Sequence, residues 1–239
     1  MEYQVESGEK IVADFRVGAE MEGARYAFIT FRTVRHAVGV DGKIFDLPGR
    51  AGDRPAMQVS GAPEGLVTLI HETRDESLTY KEREKFVNFL THKDALWVLQ
   101  DHENRGLPET GFEETYRRHA KALVAVGDGN GKDVRAGMRI EFVAQANPYS
   151  DDMSDGLALQ LWLDNAPRPN AQVEVFERAP SGGVTITLLR TDDDGRVNVP
   201  AKSEHTYLID SVALCPLDPA MDGEPVWHSA WASLTYQVP

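Results

Sequence analysis

The chain has 239 residues with 38 acidic against 25 basic side chains, for a formal net charge of -13, so its mean potential repels phosphate and argues against nucleic acid or an anionic membrane surface as a partner. An apolar fraction of 41% is enough for sizeable cores and excludes disorder, collagen and coiled coil as the governing plan. Cys215 is the single cysteine, so no internal disulfide can form, and no run of about 18 apolar residues offers a membrane span.

The opening residues, MEYQVESGEK, hold no hydrophobic stretch of a signal peptide. From Glu9 to Val17, Ile11, Ala13, Phe15 and Val17 alternate with Val12, Asp14 and Arg16, the two-residue period of a half-buried strand. A strand is also expected over Tyr26–Val40, closed by the hairpin pair Asp41-Gly42. Short runs at Ala56–Val59 and Leu66–Glu72 complete an antiparallel unit of some seventy residues. The period then changes. Thr79-Tyr-Lys-Glu has capping-box spacing and precedes Phe86, Phe89 and Leu90, which predicts a helix over Tyr80–Leu90. A second helix is expected over Lys93–Asn104. Thr110-Gly-Phe-Glu repeats the capping pattern and predicts a short third helix through Tyr116 and Arg117, before a strand at Lys121–Val126.

The glycine-rich segment Gly127-Asp-Gly-Asn-Gly-Lys132 reads as a connecting loop, since a strand and not a phosphate-cradling helix follows it. Strands are then expected at Arg139–Ala144, Leu157–Leu163, Gln172–Glu177, Val184–Arg190, Arg196–Val199, Tyr207–Leu214 and Ala232–Val238. Short strands separated by Gly, Pro and Asp point to a β-sandwich of immunoglobulin-like or prealbumin-like kind. The expected fold is therefore mainly β: an N-terminal β domain, residues 1–130, with a helical insert at about 79–118, and a C-terminal sandwich, residues 131–239.

The motifs give few chemical leads. Thr191-Asp-Asp-Asp-Gly-Arg-Val would place Arg190 at the first ligand position of a calcium loop, so it reads as a hairpin turn with Gly195 at positive φ. Asp151, Asp152 and Asp155 form a second acidic loop. Gly-x-Ser-x-Gly, a cysteine with a partner histidine and paired carboxylates in a helix-borne pocket are not found, so a non-enzyme is expected. Cys215 precedes Pro216 and reads as a buried inert thiol. Of seven histidines, His205 and His228 fall in the C-terminal half, where a hairpin could bring them to Asp210 or Glu204. His205, Asp210 and His228 are the candidate metal ligands, for nickel, cobalt, zinc, copper or iron. Trp227 and Trp231 read as aromatic anchors of the last strand.

Tyr116-Arg-Arg-His-Ala-Lys-Ala-Leu-Val124, Asn147-Pro-Tyr149, Thr191–Val197, Tyr207-Leu-Ile-Asp-Ser-Val212 and Trp227-x-Ser-x-Trp-Ala-Ser-Leu-Thr-Tyr236 together resemble the bacterial family called domain of unknown function 4198. Its members have carried the labels NikM-like nickel uptake protein and cobalt/nickel transport periplasmic component. The resemblance implies a periplasmic protein of two β-rich domains, working beside a membrane transporter or outer-membrane receptor. Members open with a signal peptide and a His-x-Phe-Trp-like segment; Met1-Glu-Tyr-Gln matches neither, and the expectation is a chain trimmed into the mature region, without that candidate metal ligand. His228 stands where the resemblance leads us to expect glutamate or another polar residue. Two functions are expected in competition: an accessory protein that binds or hands on transition-metal ions or complexes, and a metal-free adaptor that docks through sheet edges or aromatic patches.

Overall fold

The computed structural model describes residues 1–239 apart from Ala19, Ala220 and Asp222. In chain order, β1 (Gln4–Val5), β2 (Ile11–Ala13), β3 (Phe15–Val17) and β4 (Ala24–Tyr26) come first. The single strand expected over Glu9–Val17 is two: it breaks at Asp14, which pairs with Arg25, so that β2 joins one partner and β3 another. A 3-10 turn at Thr30–Arg32 interrupts the next expected strand and leaves β5 (Thr33–Val40), followed by β6 (Lys43–Asp46), β7 (Met57–Val59), β8 (Gly65–Thr73) and β9 (Glu76–Tyr80). Asp41 and Gly42 have φ of 49° and 73°, the doubly left-handed turn that Asp-Gly favours, and Val40 faces Lys43 across it.

Helices α1 (Arg83–His92) and α2 (Trp97–Asn104) follow. Both begin later than expected, because Thr79 and Tyr80 are drawn into β9 and Asp94 adopts φ of 54°, which no helix interior accepts. The third helix does not form. Tyr116 and Arg117 lie inside β10 (Phe112–Val126), a 15-residue strand at the centre of the main sheet. Its ladders to β8, β9 and the C-terminal strand outweigh the local capping preference of Thr110. Then come β11 (Ile140–Ala144), β12 (Leu157–Leu163), β13 (Ala166–Pro167), β14 (Gln172–Arg178), β15 (Val184–Arg190), β16 (Arg196–Val199), β17 (Thr206–Pro216) and β18 (Trp227–Gln237). The last strand starts at Trp227, five residues before the expected Ala232.

The ten-stranded sheet has the order β15-β14-β17-β18-β10-β8-β5-β6, with β1 and β9 also paired to β10. β18 runs parallel to β10 from Glu114 opposite Trp227 to Ala122 opposite Thr235. Strands from both sides of residue 130 share this sheet. On one face a four-stranded sheet of β11, β12, β13 and β16 packs over it; Phe142, Leu157, Leu159 and Leu161 meet Val173, Tyr207, Ile209, Leu234 and Tyr236 in the largest core. On the other face the β2–β7 ribbon sets Ile11, Met57 and Val59 against Val38, Leu69 and Val124. Beside it, α1 and α2 set Phe86, Leu90 and Val98 against Tyr80, Phe112 and Trp227.

The turn at Asp192–Gly195 has the expected backbone, with φ of 71° at Gly195 and Asp192 Oδ1 accepting from the amides of Asp194 and Arg196. It is not a hairpin. β15 belongs to the large sheet and β16 pairs with β12 of the small one, so the turn carries the chain around the edge of the sandwich. A Cβ on Gly195 would stand 2.8 Å from the Leu161 carbonyl oxygen, which itself lies beside the Arg168 amide. Gly195→Ala is therefore expected to cost roughly 1–3 kcal/mol from left-handed strain and that clash, measured by urea unfolding; an unchanged midpoint would contradict the packing described.

Candidate functional site

Three assemblies of buried polar residues stand out among the described residues. In the first, Lys121 is sealed inside the sandwich. Its three ammonium protons are all used: Nζ donates to Asp133 Oδ2 at 2.8 Å, the Val134 carbonyl at 2.7 Å and the Phe142 carbonyl at 2.9 Å. Asp133 also accepts from Thr68 Oγ1 and the Val134 and Ala144 amides, while Glu141 accepts from the Ala136 and Gly137 amides. The set fastens the glycine-rich loop and its continuation to both sheets, helped by Asn147 Nδ2, which donates to the Gly129 and Gly131 carbonyls.

The second assembly lies under the helices. Trp227 Nε1 donates to His102 Nδ1 at 3.0 Å, and His102 Nε2 lies 2.9 Å from the Pro108 carbonyl oxygen. A carbonyl can only accept, so Nε2 carries the proton and His102 is held as the neutral Nε2–H tautomer. One residue pair along, buried Glu114 accepts from Tyr80 Oη at 2.8 Å and from Ser229 Oγ, and Trp231 Nε1 donates to Ser229 Oγ at 2.9 Å. Burial chiefly pushes the Glu114 carboxyl up, with these two donors pulling it back.

The third is the most accessible. Lys93, just past the C-terminus of α1, donates to Glu174 Oε2 at 2.6 Å and Asp210 Oδ2 at 2.9 Å. Its ammonium stands 4.9 Å from the Trp231 ring centre. Glu174 and Asp210 are cross-strand partners, so their carboxylates share a face and repel unless a cation bridges them. His92 Nε2 lies 3.2 Å from Glu174 Oε1. Burial alone would lower Lys93, but Asp210 and Glu174 outweigh it and its pKa is raised. Burial raises Asp210, and Lys93 opposes it. The site binds α1 to the C-terminal strands, and its cation is already matched by two anions.

The three candidate ligands read from the sequence are not brought together. Asp210 lies opposite Ser233 and His228 opposite Cys215, five positions apart along the ladder. That is about 16 Å at 3.3 Å per residue, with the side chains on opposite faces. His205 lies before the start of β17, with Nδ1 2.8 Å from Glu177 Oε1. His228 Nδ1 lies 2.9 Å from Thr115 Oγ1, and Arg139 Nη2 contacts Cys215 Sγ at 3.4 Å. Among the described residues no three His, Cys, Asp or Glu side chains converge as a metal site. The acidic loops are spent locally: Asp151 accepts from the Asn147 amide, and Asp152 from the Ser154 amide and hydroxyl. Trp227 and Trp231 are anchors as expected, the first fully buried and stacked at 6.4 Å on His102. Lys93 and Glu174 escape a sequence reading because 81 positions separate them.

The two ends of the large sheet differ. β6 is four residues long with Lys43 and Asp46 at its termini, a short charged edge of the kind that resists further pairing. β15, Val-Thr-Ile-Thr-Leu-Leu-Arg, is seven residues long with one terminal charge, and Thr185 through Leu188 are all exposed. Among the described residues no strand pairs with its outer side. Ile186 and Leu188, 44% and 58% exposed, face the same way as their partners Phe176 and Glu174. An apolar row therefore runs up to an open row of backbone donors and acceptors.

These features define a mainly β protein with large sheets, a small helical portion and an open sheet edge at β15. The chain belongs to the family described as Domain of unknown function (DUF4198), whose profile matches residues 1–213. No curated protein matches the sequence. A solved structure described as "Crystal structure of tetra-tandem repeat in extending region of large adhesion protein" is similar over 90% of this chain at 13% identity, with a TM-score of 0.23. The match takes in 44% of that chain. No helix among the described residues is long and apolar enough to cross a membrane.

Proposed function

We propose that this protein is a non-enzymatic interaction module of the periplasm, docking on a receptor or transporter component by accepting an extended strand at β15. The observation that carries the reading is the open seven-residue edge with its apolar row, beside a second edge that is short and charged. An unpaired strand edge is complementary to one thing, another extended backbone, with side-chain pockets selecting among sequences. The interaction reading is preferred to direct carriage of a transition-metal ion because the candidate ligands do not share a site: Asp210 is held by Lys93, His228 lies five ladder positions away on the other face beside Thr115, and His205 lies outside β17 beside Glu177.

Amide hydrogen exchange at micromolar protein, with and without a soluble peptide of alternating valine and threonine at about millimolar concentration, tests the reading. The β15 amides are expected to gain protection severalfold while those of β6 stay unchanged. Unaltered exchange at β15 would count against strand acceptance.

A further inference from the structure

We propose that β15 pairs antiparallel with β15 of a second copy of this chain, about a two-fold axis passing beside Thr187; this rests on the strand-accepting reading above and names its occupant. A two-fold operation brings the same patch onto itself, so the strand must be complementary to its own reverse. Centred on Thr187, the register sets Thr187 against Thr187 of the second copy, Ile186 against Leu188, Thr185 against Leu189 and Val184 against Arg190. Each pairing is favourable or neutral. Threonine pairs hydrogen-bond or pack across strands, and Ile186 with Leu188 is an aliphatic pair on one face. That face carries Phe176 beside Ile186 and Glu174 beside Leu188, so Phe176, Ile186 and Leu188 of the second copy make an apolar run across the junction that stops at Glu174.

Charge supports the same arrangement. The one charged residue of β15 is Arg190, at its end, where Nη2 pairs with Asp94 Oδ2 at 2.5 Å. Antiparallel pairing keeps the two copies of Arg190 at opposite ends of the junction, whereas a parallel pairing would set them side by side. The register holds whichever alternate set of β15 amides points outward, since a two-fold through one residue is compatible with either a hydrogen-bonded or a non-hydrogen-bonded central pair. A junction of seven residues a side is smaller than the roughly 1,200 Å² of a standard stable interface, so the dimer is expected to be weak, with a dissociation constant of tens to hundreds of micromolar.

Sedimentation velocity of the full chain over about 10–500 µM, bracketing that range, is the test. The native sequence should shift from monomer toward dimer. Thr187 is exposed, so Thr187→Lys and Thr187→Asp leave the fold intact, which circular dichroism verifies. Each variant alone sets like charges against one another at the axis and is expected to remain monomeric, while an equimolar mixture of the two should recover a heterodimer. A native chain that stays monomeric throughout, or a Thr187→Lys chain that dimerises as the native one does, overturns the inference. If the native chain is monomeric but the valine–threonine peptide still protects β15, the self-pairing is wrong and strand acceptance stands. If neither occurs, both are wrong.

Discussion

Replacing Lys121 with methionine is expected to lower stability by about 3–5 kcal/mol, the penalty for stranding buried charge. Lys121, Asp133 and Glu141 have side chains that are 1%, 0% and 0% exposed, so no water can replace the ammonium. Methionine matches the volume, but it leaves the Asp133 carboxylate without its cation and the Val134 and Phe142 carbonyls without their donor. Those losses exceed whatever the apolar side chain contributes, because an unpaired group in a low dielectric forfeits its whole solvation. For a chain of this length the change amounts to roughly 6–20 °C in Tm. Lys202→Met supplies the contrast. Lys202 binds Glu177 Oε1 at 2.6 Å but is 59% exposed, and its loss should be worth less than about 1 kcal/mol. Urea unfolding of both variants at neutral pH decides the matter. If Lys121→Met falls within about 1 kcal/mol of the native protein, the buried network is not holding the two sheets together.

The elements that alternate cleanly were legible residue by residue. Leu157–Leu163, Val184–Arg190 and Arg196–Val199 agree with β12, β15 and β16, because in them one face meets a core or a turn residue marks the end. The Asp41-Gly42 hairpin was legible for the same local reason. β10 was not, because Thr110 and Glu113 carry a helix-start signal whereas the forces that make Phe112–Val126 a strand come from partners far away in sequence, as distant as Trp227. The glycine at 195 announced a turn, yet whether that turn joins neighbours in one sheet or crosses between two depends on β16 finding β12, which no local pattern encodes.

The candidate site divides in the same way. Asp210 belongs to a polar cluster, as its place on an otherwise apolar strand suggests, but its partners are Lys93 and Glu174, not His205 or His228. His205 lies just before β17 and turns to Glu177, while Asp210 and His228 sit an odd number of ladder positions apart and so point to opposite faces. The open edge at β15 is a property of sheet order, and sheet order is written in long-range pairing.

Acidification should weaken the fold through histidines whose charging burial resists, His71 and His119 among them. Burial, followed by the neighbouring His36, lowers His71 to about 4, against a hydrogen bond to the Arg35 backbone that raises it. Its ring is stacked at 3.8 Å on Phe15, and Nδ1 has no partner. Burial also lowers His119 to about 4, with the Trp231 carbonyl opposing and Arg117, His228 and Arg139 adding to the fall. Its Nε2 likewise has no hydrogen-bond partner, with Glu72 Oε1 3.8 Å away. Unfolded, each imidazole takes a proton near 6.5; folded, each refuses it until about pH 4. At these two sites the unfolded chain therefore binds more protons than the folded one between those limits. Stability is fully present above pH 6.5, falls as pH drops toward 4, and loses no more to these groups below that. Between pH 7.5 and pH 5 the loss is about 2 kcal/mol per histidine, or about 4 for the pair, at full weight. Urea unfolding across this range should show that slope. His119→Gln should remove the His119 share, about 2 kcal/mol over this range, since glutamine occupies the site without titrating. A native protein equally stable at both pH values, or a His119→Gln variant with the native slope, would mean that these rings reach water in the folded state.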